Sequence, residues 1–390
     1  MDRAILALTL TPGLGPTLIG RLIESFGSAA LAAGATAVQL ERIKGIGPAK
    51  GATIASGLAR ADVLAENEIA LAGGLGVTIV TKGGSDYPAL LAPLADAPPV
   101  LYVRGEIRAE GSDQFAVGIV GSRECTAYGM EQAERFGSIL ASSGLTIVSG
   151  GARGIDSAAH RSALRIGGRT IAVMGCGLAH TYPPENAELF ELIAKSGAVV
   201  SELPLATAPA AENFPSRNRI ISGLSLGVLV IEAGHKSGAL ITARVAAEDH
   251  GREVMAIPGR VDSPSSRGSL ELLKIGGALL VTEPADVVHA LEAAAHHRFA
   301  GTHAARFGTA ESAGNGLFRE AVKPPPNARP RVDPESPAGR ILAALDEPLT
   351  MDELVAKTGI ETAALRGHAA LLEIQKLIVR KGSKLEQAGR

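Results

Sequence analysis

Four cations stand in glycine- or serine-bearing segments just behind apolar, β-branched runs. They are Arg123 in Gly121-Ser122-Arg123, Arg153 in Ser149-Gly150-Gly151-Ala-Arg153-Gly154, Lys236 in Lys236-Ser237-Gly238, and Arg260 in Pro258-Gly-Arg260. Residues of these types suit an anion. The fullest stretch runs from Leu145 to His160: a short strand pattern, a break at Ser149-Gly150-Gly151, then a helix whose apolar face is Ile155, Ala158, Ala159 and Ala163. A glycine loop that opens a helix gathers unpaired backbone N–H groups at the positive helix end, which is where phosphates bind. Glycine lets a ligand approach the backbone, and the arginine fork matches phosphate oxygens. Asp156 and His160, four apart, share one helix face. Two readings of that pair stand, a hydrogen-bonded pair that shapes the loop and an acid–base pair.

A second cationic cluster is Phe214-Pro-Ser216-Arg217-Asn218-Arg219. Ser216 is expected to cap a helix, with Arg217, Asn218 and Arg219 in its first turn. Cations there oppose the helix dipole, so they are expected to meet an external anion, with Phe214 stacking a base beside them. The alternative is an internal arginine paired with Glu202 or Glu232.

Strand-like runs at 115–120, 145–148, 170–174, 198–200, 227–231, 253–257 and 278–281 alternate with helical segments at 130–142, 186–194, 239–249 and 269–275. Alternation at this length predicts an extended Rossmann-like, doubly wound, mostly parallel α/β sheet over residues 73–295. All parallel strands end on one rim, where open sheets bind ligands, so the cationic loops are expected to converge. A dinucleotide fingerprint is missing: Gly175-Cys-Gly177 lacks the third glycine, and no Walker A sequence is present.

Net charge is −2 over 390 residues, so nucleic acid must be held by local clusters rather than a global field. Aromatics are 3% and Trp is absent. Cys125 and Cys176 are too few for a disulfide framework and are read as loop residues in a reducing compartment. No metal ligand spacing, cofactor fingerprint, signal segment or membrane span is visible, so a soluble cytoplasmic protein without metal or cofactor is expected.

Residues 1–72 read as short helices around Gly13-Leu-Gly15 and Gly45-Ile-Gly47, a SAM or helix-hairpin-helix-like pattern flanked by Lys44 and Lys50. Such turns either contact DNA phosphates or only fold a small helical domain. Residues 296–337, with Pro324-Pro-Pro326, read as a flexible linker. Residues 338–390 read as a small winged-helix domain of three helices and a terminal strand pair. Arg366, His368 and Lys376 stand on its third helix, facing DNA or solvent.

Five segments together resemble the DNA-processing protein DprA (Smf) family: Val120-Gly-Ser-Arg123; Ser149 to Asp156 with Ala159-His160; Phe214 to Arg219; Lys236-Ser-Gly-Ala-Leu-Ile-Thr242; and Ala256-Ile-Pro-Gly259. The likeness runs from about Tyr87 to Val288 and takes in Tyr182-Pro183 and Ser201-Glu202. This chain departs at Gly151, where many members carry a larger apolar residue, and in a wing without a glycine-aromatic ending. The resemblance implies a non-enzymatic protein that binds single-stranded DNA, forms homodimers and helps load the recombinase RecA during natural transformation. It implies Arg123, Arg153, Arg217, Arg219 and Lys236 as phosphate contacts. Gly121, Ser149, Gly150, Gly154 and Gly238 would then admit the strand, with Ser122, Asn218 and Ser237 beside them. The competing class is a nucleotide or nucleoside-phosphate hydrolase, or a small-nucleotide sensor, on the same rim.

Overall fold

Runs rich in Val, Ile and Ala bury both faces when a strand is covered by helices on each side, and here they do. The computed structural model describes residues 1–299, 336–374, 377–381 and 384–387. Its main sheet contains β1 (Val77–Thr81), β2 (Val100–Gly105), β3 (Ala116–Val120), β4 (Thr146–Ser149), β5 (Thr170–Val173), β6 (Ala198–Ser201), β7 (Gly227–Val230), β8 (Glu253–Ala256) and β9 (Leu279–Leu280). The order is β1-β2-β6-β5-β4-β3-β7-β8-β9. From β6 to β9 all neighbours pair in parallel, while β1 and β2 add an antiparallel edge. The doubly wound expectation holds.

Helices α1 (Arg3–Thr9), α2 (Pro16–Phe26), α3 (Ala29–Ala33), α4 (Ala37–Leu40) and α5 (Pro48–Gly74) precede the sheet. α2 and α5 begin at glycine caps, Gly15 and Gly47, each followed by Pro at the first helical position, where its missing N–H costs nothing. Leu6, Ala61, Ala65 and Ala72 of this part join Val100, Tyr102, Leu189 and Phe190 in one apolar cluster. The Glu68 carboxylate accepts the Leu205 N–H at 2.7 Å. By contact the chain forms two compact units, Met1–Val287 and Val288–Arg390.

The sheet is layered by α6 (Ala127–Ser142), α7 (Ile155–Arg165), α8 (Ala187–Ser196), α9 (Asn213–Gly223), α10 (Gly238–Arg244) and α11 (Arg267–Lys274). The segment expected as one helix over 239–249 changes at Val245 to a wider π turn ending at Asp249. In the second unit, helices Pro337–Ala344, Met351–Thr358 and Thr362–Ile374 pack on a three-stranded antiparallel sheet. Thr350 and Glu353 close a capping box on the middle one, and the arrangement is a winged helix. The expected linker is outside the described residues from 300 to 335, as are Lys376 and Gly382.

At the amino-terminal rim of the sheet, Arg169 binds both carboxylate oxygens of Asp113 through Nε and Nη2, at 2.6 and 2.8 Å. It also donates to the carbonyls of Ser196 and Glu106. Asp113 in turn accepts the Arg108 N–H and the Thr146 hydroxyl. Both side chains are about nine-tenths buried, so removing one strands the other's charge. Arg169→Ala is expected to lower unfolding free energy by about 3–5 kcal/mol in urea titrations. An unchanged midpoint would show that the pair does not hold this rim.

Candidate nucleic-acid interface

After β3 the chain lays β4, β5 and β6 on one side, then crosses to place β7, β8 and β9 on the other. Loops after β3 and β7 therefore diverge and leave a crevice at their carboxyl ends, the usual ligand position in such sheets. The cleft holds about 470 Å³ and is lined from four segments: Gly121–Glu124, Ala152 with Asp156, Arg217 with Asn218, and Lys236–Ala239. Its walls are pinned by backbone. Ser122 N–H donates to the Glu232 carbonyl at 2.8 Å, and the buried Glu232 carboxylate accepts the N–H and hydroxyl of Thr126 at the start of α6.

The loop that opens α7 was expected to offer free N–H groups to a phosphate. Instead it satisfies several itself. Ile155 N–H donates to Ser122 O, Ser157 N–H to Ala152 O, and Ala152 N–H to the Asp156 carboxylate. Asp156 is 7% exposed and lies in the first helical turn, so the protein places its own carboxyl oxygens at the positive helix end. Burial raises the Asp156 pKa against the opposing pull of Arg217. Ser149 is fully buried and donates its hydroxyl to Ile119 O at 2.6 Å. The glycines answer to internal packing as well. A Cβ on Gly121 would strike Ile155 at 2.5 Å, on Gly150 it would strike Arg217, and on Gly151 Phe190. Gly154 takes φ +71° with carbonyls of Ser122 and Arg123 pressed against it, a conformation and space that only glycine fits. Gly238 alone of this group stands open.

Arg217 and Arg219 also turn inward. α9 starts at Asn213, not after Ser216, whose hydroxyl donates to Asn213 O. Pro215 is tolerated because a first-turn residue needs no N–H partner. This shift moves the arginines into the second turn, facing protein. Arg217 is 4% exposed and donates to the carbonyls of Gly150 and Val173. Burial brings its pKa down to about 10 while Asp156 opposes the fall. Arg219 donates to the Glu202 carboxylate and the Asp96 carbonyl. The internal arrangement, with Glu202 as one partner, is therefore the one found.

Asp156 and His160 do not bond to each other among the hydrogen bonds of the described residues. His160 is fully buried, with Nδ1 2.7 Å from Thr170 Oγ1. That hydroxyl donates to Ile147 O, so Nδ1 carries the proton. Burial first, then Arg217 and Arg161, depress the imidazole pKa to about 3. The ring is a neutral strut between α7 and β5.

What remains for an external anion are Arg123 and Lys236. Both are exposed, on opposite lips of the cleft. Arg123 also lies 5.2 Å over the Phe214 ring, which tilts against Tyr182 at 5.3 Å. Phe214 is thus half-buried under a guanidinium, and a base reaching it meets Arg123 first. Arg153 lines the same hollow as Phe214 but is paired with Glu185. Asn218 ties α9 to Gly238 O, Ser237 caps α10, and Ser122 accepts the Glu124 N–H. Arg260 is held by Asp262 at 2.9 Å.

Sequence reasoning missed a chain running from the interior to the surface, in which Ser222 Oγ meets His250 Nδ1 at 2.8 Å and His250 Nε2 meets the half-exposed Asp96 at 3.2 Å. It resembles an acyl-transfer triad, yet Ser222 is wholly buried, and the chain staples α9 to the segment before β2. No local spacing signals partners this far apart. Among the described residues no His, Cys, Asp or Glu group could hold a metal, and no helix is long and apolar enough to cross a membrane.

A family model for DNA recombination-mediator protein A matches residues 78–292, and one for the DprA winged helix domain matches residues 324–383. The chain is 49% identical over 211 residues to Protein Smf of Escherichia coli, covering 54% of this chain and 55% of that protein. To Protein Smf of Synechocystis it is 38% identical over 307 residues, 77% of each. The chain thus spans about half the length of the first relative and over two thirds of the second. The X-ray structure of DNA processing protein A from Streptococcus pneumoniae is similar with a TM-score of 0.65 at 33% identity, covering 74% of this chain and 98% of that one.

His160 gives this site a pH signature. The unfolded imidazole takes up a proton near pH 6.5, while the folded one resists until about pH 3. A depressed folded pKa in a basic group means that stability falls as pH drops through that window. Between pH 7 and 5 the wild type is expected to lose about 2 kcal/mol that His160→Gln does not lose. The check is the urea midpoint of each protein at both pH values. Equal pH slopes would contradict the buried neutral imidazole.

Proposed function

The chain belongs to the DprA family of DNA recombination-mediator proteins, and on that premise we propose that it binds single-stranded DNA along the carboxyl rim of its sheet. Arg123 and Lys236 are the phosphate contacts, with Gly121, Ser122 and Gly238 bringing the strand close to the backbone. Arg153 and Phe214 in the adjoining hollow extend the path. The observation that carries this reading is the cleft at the β3–β7 switch point with two exposed cations on facing lips. The cleft's exposed cations act on backbone charge, so recognition rests on phosphates and is tolerant of sequence. The bound strand is handed to the recombinase RecA during natural transformation, and the protein acts as a homodimer. The family's description as a recombination mediator supports that role. The hydrolase reading draws no support from His160, its acid–base candidate, which is buried and neutral.

Affinity for oligo-dT should fall with salt by roughly 0.7 in log–log slope per phosphate contact. Arg123→Ala and Lys236→Ala should each reduce that slope by about 0.7 and weaken binding by roughly 1–3 kcal/mol. Fluorescence anisotropy at several salt concentrations reads both quantities. Salt-independent affinity, or a preference for duplex over single strands, would sink the proposal.

A further inference from the structure

Aromatic rings are scarce in this chain, with four Tyr, eight Phe and no Trp. Folding takes most of them inside: Tyr102, Phe136 and Phe190 are fully buried, Tyr87 nearly so, and Tyr182 and Phe214 are half-buried. Among the described side chains Tyr128 is the one exposed aromatic, at 41%. A single exposed ring needs no explanation by itself. Its place and fixation do.

Tyr128 stands in the first turn of α6, just beyond the loop after β3 that carries Arg123. Its hydroxyl donates to the Pro258 carbonyl at 2.9 Å, in the loop after β8. Between β3 and β8 lies β7, whose loop carries Lys236. The ring is therefore tied toward the β8 loop, beyond the residues that line the cleft, while Phe214 packs by Gly175 behind β5. Strands lie about 4.8 Å apart, so the four steps from β5 to β8 span about 19 Å of rim. Arg123 covers Phe214 at one end of that span, Lys236 stands on the β7 loop, and Tyr128 is tied to the β8 loop at the other end. Burial raises the pKa of the Tyr128 hydroxyl, with Arg135 opposing the rise and Glu232 and Glu131 adding to it, so the tethered phenol is neutral. The tether to Pro258 holds the ring in one orientation before any ligand arrives, and this lowers the ordering cost of binding.

We propose that Tyr128 is a stacking platform for a base of the single strand, which runs along the rim from Arg123 past Lys236 to this ring. The proposal rests on the reading that the cleft binds single-stranded DNA, and it extends that site to the β8 side. Stacking on an aromatic face tolerates every base.

The test compares wild type, Tyr128→Phe, Tyr128→Leu, Tyr128→Ala and Arg123→Ala, each as the full chain, on oligo-dT and on an abasic oligonucleotide of equal length. Tyr128→Ala and Tyr128→Leu should weaken oligo-dT binding about tenfold, and Tyr128→Phe should stay within about twofold because the ring remains. On the abasic strand all Tyr128 variants should match wild type, an outcome that a purely structural role for the ring would not give. Urea midpoints accompany each titration; should Tyr128→Ala unfold, Tyr128→Leu keeps the apolar bulk and decides the question. Unchanged oligo-dT affinity in Tyr128→Leu, or an equal loss on the abasic strand, overturns the platform. If Arg123→Ala binds oligo-dT like wild type, the cleft itself is misassigned and the platform falls with it. Loss in Arg123→Ala with none in Tyr128→Leu removes the platform only.

Discussion

Arg217 carries its charge where water scarcely reaches it, 4% exposed, and donates to the carbonyls of Gly150 behind β4 and Val173 at the end of β5. Asp156, buried at the start of α7 and holding the Ala152 N–H, lies near enough to favour the charged guanidinium, with no bond between the two among the described residues. The two carbonyls are what hold Arg217, and a buried guanidinium depends on such acceptors. Its bonds to them fix how the loop after β4 sits against β5 and α9, and much else follows from that. Gly150 has no side chain because a Cβ would occupy the place of the guanidinium. α9 begins early, at Asn213, and so turns Arg217 toward the sheet. Gly154 takes a positive φ so that α7 can start beneath the carbonyls of the β3 loop.

This interior charge divides labour within motifs that look uniform on paper. In Ser149–Asp156 the glycines, serine and aspartate shape the loop, and within Phe214–Arg219 both arginines work inward. The cations left facing out, Arg123 and Lys236, come from the two loops that diverge at the switch point. A cleft built this way keeps its width without a ligand, because Glu232, Thr126 and Ser122 bond the lips together through backbone and carboxylate. Preformed and with its cations facing out, it suits a polyanion.

The doubly wound sheet was legible because buried parallel strands read as unbroken apolar runs and strand-end loops must share one rim. The winged helix was legible too, through the Thr350–Glu353 capping box and the returning helical period. What escaped was direction. Arginine, glycine and serine in a loop carry the same spacing whether they face a ligand or the protein, and only the placement of α9 decides for Arg217 and Arg219. The misplaced start of that helix followed from Ser216, read as its cap, when the helix already begins at Asn213 and Pro215 fits inside its first turn. Asp156 and His160 share a helix face, but Thr170 lay unseen on a neighbouring strand and takes the imidazole. Asp96, Ser222 and His250 meet only in the folded chain.

The central claim is that the buried Arg217 builds the cleft while the exposed Arg123 meets the strand. The most direct measurement is urea unfolding alongside oligo-dT titration for Arg217→Met and Arg123→Ala. The account predicts that Arg217→Met lowers unfolding free energy by about 1–3 kcal/mol, the cost of leaving the buried Gly150 and Val173 carbonyls without their donor. It predicts that Arg123→Ala keeps the wild-type midpoint and loses oligo-dT affinity. An Arg217→Met protein with wild-type stability and abolished DNA binding would contradict it.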